Sequence, residues 1–169
     1  AEIVSVDLSS GSMNMVINKG LSDGVRFGDV VIDDAGVVGQ VSRAGTRTSL
    51  VLLITDKDHA TPIQVRRNGL RAVAGGTGSL EYLILENLPL SIDLQVGDIV
   101  ETSGLAGRFP YGYTVGEIID IQKEQTAMFA SVKVAPAAKL SQSRYLLVLN
   151  DRQQNVESGQ EQLLSLIHI

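Results

Sequence analysis

His59 is the residue of this chain best equipped for chemistry. It follows Asp56 and Asp58, and Ser103 lies further along in a Thr102-Ser103-Gly104 turn. A carboxylate, an imidazole and a serine are the parts of an acyl-transfer triad, in which the imidazole takes the serine proton. The Gly-Asp-Ser-Gly pattern expected around such a serine is missing, so a polar turn at His59 outweighs a catalytic base. The second histidine, His168, sits close to the C-terminus. Two histidines make no three-ligand zinc site unless carboxylates join them, and the chain has no Cys. No catalytic residue, cofactor site or metal site is assigned. The paired acids Asp33-Asp34 fall in a tight Asp34-Ala35-Gly36 step, where acidic residues serve turn geometry. Gly75-Gly76-Thr77-Gly78 lacks the Lys-Ser/Thr and the helix of a phosphate loop and reads as a β-turn.

A different chemistry gathers around Phe109-Pro110-Tyr111-Gly112-Tyr113. Three of the chain's aromatics, which number four Tyr and three Phe, fall in this one stretch. Pro and Gly fix its backbone, and aromatics are enriched in the cores of protein interfaces. The rings either plug a barrel mouth against Leu105 or present a patch to a partner. Both hold if one ring is buried and another exposed. Leu105, Phe109, Tyr111 and Tyr113 are the candidate partner-binding residues.

The elements that must carry this loop are short strands. Apolar residues make up 44% of the chain, yet aromatics only 4% and Trp is absent, so the core is built from Val, Ile and Leu. One unit occurs twice. Gly28-Asp29-Val30-Val31 followed by Val38-Gly39-Gln40-Val41 matches Gly97-Asp98-Ile99-Val100 followed by Val115-Gly116-Glu117-Ile118. The aromatic loop is the extra length inside the second copy. Ile3–Asp7 alternates apolar and polar residues as a half-buried strand does, and Ser49–Thr55 and Thr114–Gln122 also read as strands. Asn68-Gly69 reads as a type I′ hairpin turn. The charged stretch from Asp56 to His59 and Pro62 break the rhythm, which places a boundary near residue 60.

The expectation is an all-β chain of two small β-barrels. Residues 1–60 form the first, with 145–149 as a returning strand. Residues 61–139 form the second, and 150–169 a flexible or artificially appended tail. Net charge is −5, and the densest basic group is Arg66, Arg67 and Arg71, so no basic stripe for nucleic acid is present. No apolar run approaches the ~20 residues that span a bilayer. The abrupt strand-like start reads as the edge of a domain cut from a longer protein.

The series from Val96-Gly97-Asp98 through Thr102-Ser103-Gly104-Leu105, Phe109-Pro110-Tyr111-Gly112 and Val115-Gly116-Glu117 resembles the periplasmic region of the rod shape-determining MreC family. Lys19-Gly20 to Gly24-Val25, Gly36 to Val41 and Ile54-Thr55-Asp56 match it too. The resemblance runs from about Ile3 to Leu149. It implies two β-barrels and a non-enzymatic periplasmic scaffold of cell-wall elongation. Its implied partners are the elongation penicillin-binding transpeptidase with its glycosyltransferase, the membrane protein MreD, the actin-like protein MreB, and further copies of itself. MreD and MreB would be met through parts outside this chain. The family's cytoplasmic part, membrane helix and coiled coil also lie outside it, so contact with the membrane is implied only through that helix. The contrasting expectation is a β-barrel hydrolase or cell-wall-sugar-binding domain that uses His59.

Overall fold

The computed structural model describes residues 1–9, 11–105, 109–123 and 128–150. The expected tail beyond Asn150, the turn at Glu124-Gln125-Thr126 and the Ala106–Arg108 part of the aromatic loop lie outside the described residues. The chain is all-β, with twelve described strands and one short 3-10 turn at Leu21–Asp23.

Strands β1 (Ile3–Ser9), β2 (Ser12–Ile17), β3 (Val30–Ile32), β4 (Val37–Ala44), β5 (Ser49–Leu53) and β12 (Leu147–Leu149) form a six-stranded sheet in the order β1-β2-β5-β4-β3-β12. β12 is antiparallel to β3, from Leu147↔Ile32 to Leu149↔Val30. The free edges of this sheet meet at Ala1–Ile3, where Glu2 bridges Tyr145 and the Leu146 N–H donates to the Ala1 carbonyl at 2.8 Å. Strands β6 (Ala60–Val65), β7 (Arg71–Gly75), β8 (Leu83–Pro89), β9 (Ile99–Thr102), β10 (Thr114–Gln122) and β11 (Phe129–Pro136) close into a barrel in the order β10-β11-β8-β7-β6-β9.

The sequence repeat extends into topology. The neighbours β2-β5-β4-β3 of the first sheet correspond to β8-β11-β10-β9 of the barrel. The two Gly-Asp turns are built bond for bond. Gly28 and Gly97 both take positive φ, 88° and 97°, which favours glycine. The Asp29 carboxylate accepts the Arg26 N–H at 2.8 Å, and the Asp98 carboxylate accepts the Gln95 N–H at 2.9 Å. Gly28 N–H donates to the Val41 carbonyl and Gly97 N–H to that of Ile118, both at 2.8 Å.

Each sheet has its own apolar cluster, and the two meet along a seam. Val30, Val37 and Ile54 from the first sheet's half of the chain pack with the barrel's Ile63, Leu83, Leu85 and Val132, while Leu80 packs into the first cluster with Val31, Val38 and Leu53. Fully burying a Val, Leu or Ile side chain stabilises by about 1.5–3 kcal/mol, so the seam binds the halves firmly.

Two local expectations are corrected. Pro62 does not break the strand rhythm but lies inside β6. It is tolerated because the ladder to β9 begins only at Ile63↔Thr102, and at Pro62 the carbonyl alone is used, accepting the Ser103 N–H at 3.2 Å. The Asn68-Gly69 turn is not type I′, which needs positive φ at both residues, since only Gly69 takes it, at 71°. The connection is longer, and its side chains bond to β9 and to the segment that leads into it. Arg67 pairs with Asp98 at 2.9 Å and with Asp93 at 3.3 Å, Arg66 pairs with Glu101 at 2.9 Å, and the Asn68 amide donates to the Asp93 carbonyl. The Arg67 guanidinium accordingly holds the Asp98 carboxyl below its usual range.

Candidate partner-binding surface

The β9–β10 loop is stapled by Thr102, which is fully buried. Its N–H donates to the Tyr113 carbonyl at 2.8 Å, and its carbonyl accepts the Gly112 N–H at 3.0 Å. Its hydroxyl accepts the Tyr113 N–H at 2.9 Å and donates to the Pro110 carbonyl. The Thr-Ser-Gly motif therefore fixes a loop instead of presenting a nucleophile. The four candidate residues separate on this frame. Phe109 is 2% exposed and belongs to the barrel core, Tyr113 is half-buried against it, and Tyr111 and Leu105 are 67% and 43% exposed. A Cβ on Gly104 would lie 3.1 Å from that of Tyr111, so the two arms of the loop approach closely at this point. One ring anchors the loop and another is displayed.

His59 lies beneath the same loop. Its ring meets Phe109 edge-on, with centroids 5.8 Å apart and planes at 89°. Nε2 is 3.3 Å from Gln40 Oε1 on β4, and Nδ1 is 3.3 Å from Thr61 Oγ1 on β6. The Gln40 amide nitrogen donates to the Gly28 carbonyl at 3.0 Å, which leaves Oε1 to accept from His59. The neutral ring thus donates through Nε2 and accepts through Nδ1, joining the first sheet, the barrel and the loop. Asp56 spends its carboxylate on the N–H groups of Met13 and Asp58. Ser103 accepts the Leu105 N–H at 3.3 Å. The ring therefore bonds to neither a serine nor a carboxylate among the described residues, and the hydrolase reading is corrected: His59 is a structural pin. The sequence marks His59, and places Gln40 in the repeat, but carries no signal that joins two residues 19 positions apart.

Burial pulls the His59 pKa down to about 4 from 6.5, with the Asp56 charge opposing only in part. A depressed histidine contributes stability that is complete above pH 6.5 and is lost as pH falls toward 4. The difference corresponds to about 3 kcal/mol. Urea unfolding at pH 7.5 and pH 4 should show wild type losing that much more than His59→Gln, with other carboxylates cancelling in the comparison. Equal losses in the two proteins would mean that the ring titrates normally.

The model of the family described as Rod shape-determining protein MreC, barrel core, matches residues 3–150. The chain belongs to the MreC family. It is 43% identical over 149 residues to the cell shape-determining protein MreC of Haemophilus influenzae, covering 88% of this chain and 42% of that protein. The chain thus spans less than half of that relative. The crystal structure of MreC from Pseudomonas aeruginosa superposes with a TM-score of 0.84 at 41% identity, covering 88% of this chain and 96% of that one. A structure described as the complex between Penicillin-Binding Protein (PBP2) and MreC from Helicobacter pylori shares the fold at a TM-score of 0.65 and 20% identity, covering 88% and 91%. The MreC family is one of structural, shape-determining proteins and not of enzymes.

Proposed function

We propose that this chain is the periplasmic, non-enzymatic scaffold region of a cell shape-determining protein, and that it binds the penicillin-binding transpeptidase of cell-wall elongation. Membership of the MreC family carries the reading. The Helicobacter complex supports a penicillin-binding protein as the class of partner. The contact surface is the displayed part of the β9–β10 loop, Leu105 and Tyr111, with Tyr113 at its margin and Phe109 holding the loop from below. Partner contact acts by population shift: a loop that binds the active form of the transpeptidase more tightly than the inactive form raises the active fraction. Self-association of the barrels, and links to MreD and MreB through regions outside this chain, complete the scaffold. The same proposal divides the chain near residue 60 into two domains, supported by strand ladders that stay within each sheet.

The test is direct binding of this chain to the periplasmic part of the elongation transpeptidase. Leu105→Asp/Tyr111→Asp should weaken it at least ~10-fold, the scale of an interface hot spot, without a change in melting temperature. Binding unchanged in the folded variant moves the surface away from this loop. No binding at high concentration overturns the transpeptidase as this region's partner.

A further inference from the structure

β7 is laddered to β6 along its whole length, from Ala60↔Gly75 to Gln64↔Arg71, but to β8 only at Ala74↔Leu85 and Gly75↔Ile84. The cause lies on β8. Asn87 takes a φ of 61°, uncommon for a residue with a side chain. The pairs Leu85↔Val132 and Leu88↔Ala130 set three steps of β8 against two of β11. The extra residue is a bulge, and a bulged strand bends. β8 therefore follows β11 and leaves the Arg71–Val73 half of β7 without a registered partner on its β8 side, while β6 stays paired on the other.

The opening is a groove of about 860 Å³ whose walls include Lys57, Arg71, Val73, Tyr82, Glu86 and Asn87. Val73 is 54% exposed. Gly75 leaves its part of the groove open, since a Cβ there would meet only the Ile84 carbonyl oxygen at 3.8 Å. Arg66 and Arg67, in the adjoining hairpin, are committed to ion pairs. Arg71 and Lys57 enter none, and no side-chain hydrogen bond, among the described residues. Lys133 stands 4.7 Å from the Tyr82 ring centre. Three cations thus stand on or beside the groove against Asp58 and Glu86, in a chain of net charge −5.

We propose that this groove binds an extended, acidic peptide segment of a partner protein by strand addition along β7. In such binding main-chain hydrogen bonds supply affinity and alternate side chains supply specificity. Arg71 and Val73 are two residues apart and share one face of their strand. The occupant therefore carries an acidic side chain for Arg71 and, two residues away, an apolar one for Val73, with a further carboxylate toward Lys57. The site is independent of Leu105 and Tyr111.

The probe is a fluorescent peptide, Ser-Glu-Thr-Val-Thr-Glu-Ser, beside a control in which both Glu are Lys. The acidic peptide should give a saturable polarisation change and shift the amide resonances of Arg71–Val73 and Glu86–Asn87. The lysine peptide should bind at least ~10-fold more weakly, and so should the acidic peptide to Arg71→Glu, an exposed and unpaired position whose change leaves the fold intact. No saturation at millimolar peptide, equal binding of the two peptides, or shifts confined to another face would each overturn the proposal. So would protection of the same amides by self-association without peptide, which would assign the groove to a second copy.

Discussion

Gly116→Ala should destabilise this protein by about 3 kcal/mol, and Gly39→Ala by a similar amount, lowering the melting temperature by roughly 6–12 °C. Both glycines stand in mid-sheet, Gly39 opposite Leu53 and Gly116 opposite Pro136. A Cβ on Gly39 would lie 2.1 Å from the Leu52 carbonyl oxygen, and one on Gly116 the same distance from that of Ala135. Neither obstacle is the movable end of a side chain. Each is backbone in a strand paired on both sides, β5 between β4 and β2 and β11 between β10 and β8, so relief requires displacing a ladder. Gly11→Ala is the control, because nothing lies within 4 Å of its Cβ position. It should stay within about 0.5 kcal/mol of wild type. Thermal and urea unfolding of the three variants decide the matter. A Gly116 variant as stable as the Gly11 variant would show that the sheet yields freely at this crossing.

This pair of glycines also shows what was legible in the sequence. The repeat was visible because each Gly-Asp turn and each Val-Gly crossing needs a particular residue at a particular offset, and such needs leave a mark on the sequence. The all-β class was visible for the same reason, since β-branched residues alternate between turn signals. The aromatic loop was visible as extra length and local composition. What the letters did not carry was the fate of each ring. Phe109 and Tyr111 are two residues apart and chemically alike, yet one fills the core beside His59 and the other faces solvent. That division depends on where the Thr102 staple aims the chain, which is a tertiary fact. The Asn68-Gly69 turn failed for a related reason. Its local preference was overridden by Asp93, Asp98 and Glu101, about 25 to 35 positions away. The His59–Gln40 bond across the two sheets was equally hidden, because a polar residue on a strand does not announce which remote ring it meets.

Asp33 carries the other large effect, and its reach was the least legible of all. In the sequence it is half of an acidic pair in a turn, and it does serve that turn, accepting the Ala35 N–H at 2.8 Å and the Gly36 N–H at 2.9 Å. The same carboxylate also accepts the Lys139 N–H at 2.8 Å and the Ser143 hydroxyl at 2.6 Å, more than a hundred positions downstream. It therefore pins the segment that brings β12 back beside β3. Burial alone would raise its pKa, but the Ser143 hydroxyl and the three N–H donors outweigh burial and lower it. A lowered carboxylate contributes stability that is present above its unfolded value, near 3.8, and is lost as pH falls through the lower folded value. Asp33→Ala should cost about 4 kcal/mol, because four donors lose a charged acceptor in a nearly closed site. Asp33→Asn keeps one oxygen and should cost about half as much. The distinguishing observation is where the damage appears. Hydrogen exchange should speed up at Lys139, Ser143 and Leu147–Leu149 in both variants, ahead of the barrel strands β9–β11. Uniform acceleration across the barrel, or protection of β12 left as in wild type, would mean that the seam between the two sheets, and not Asp33, holds the returning strand.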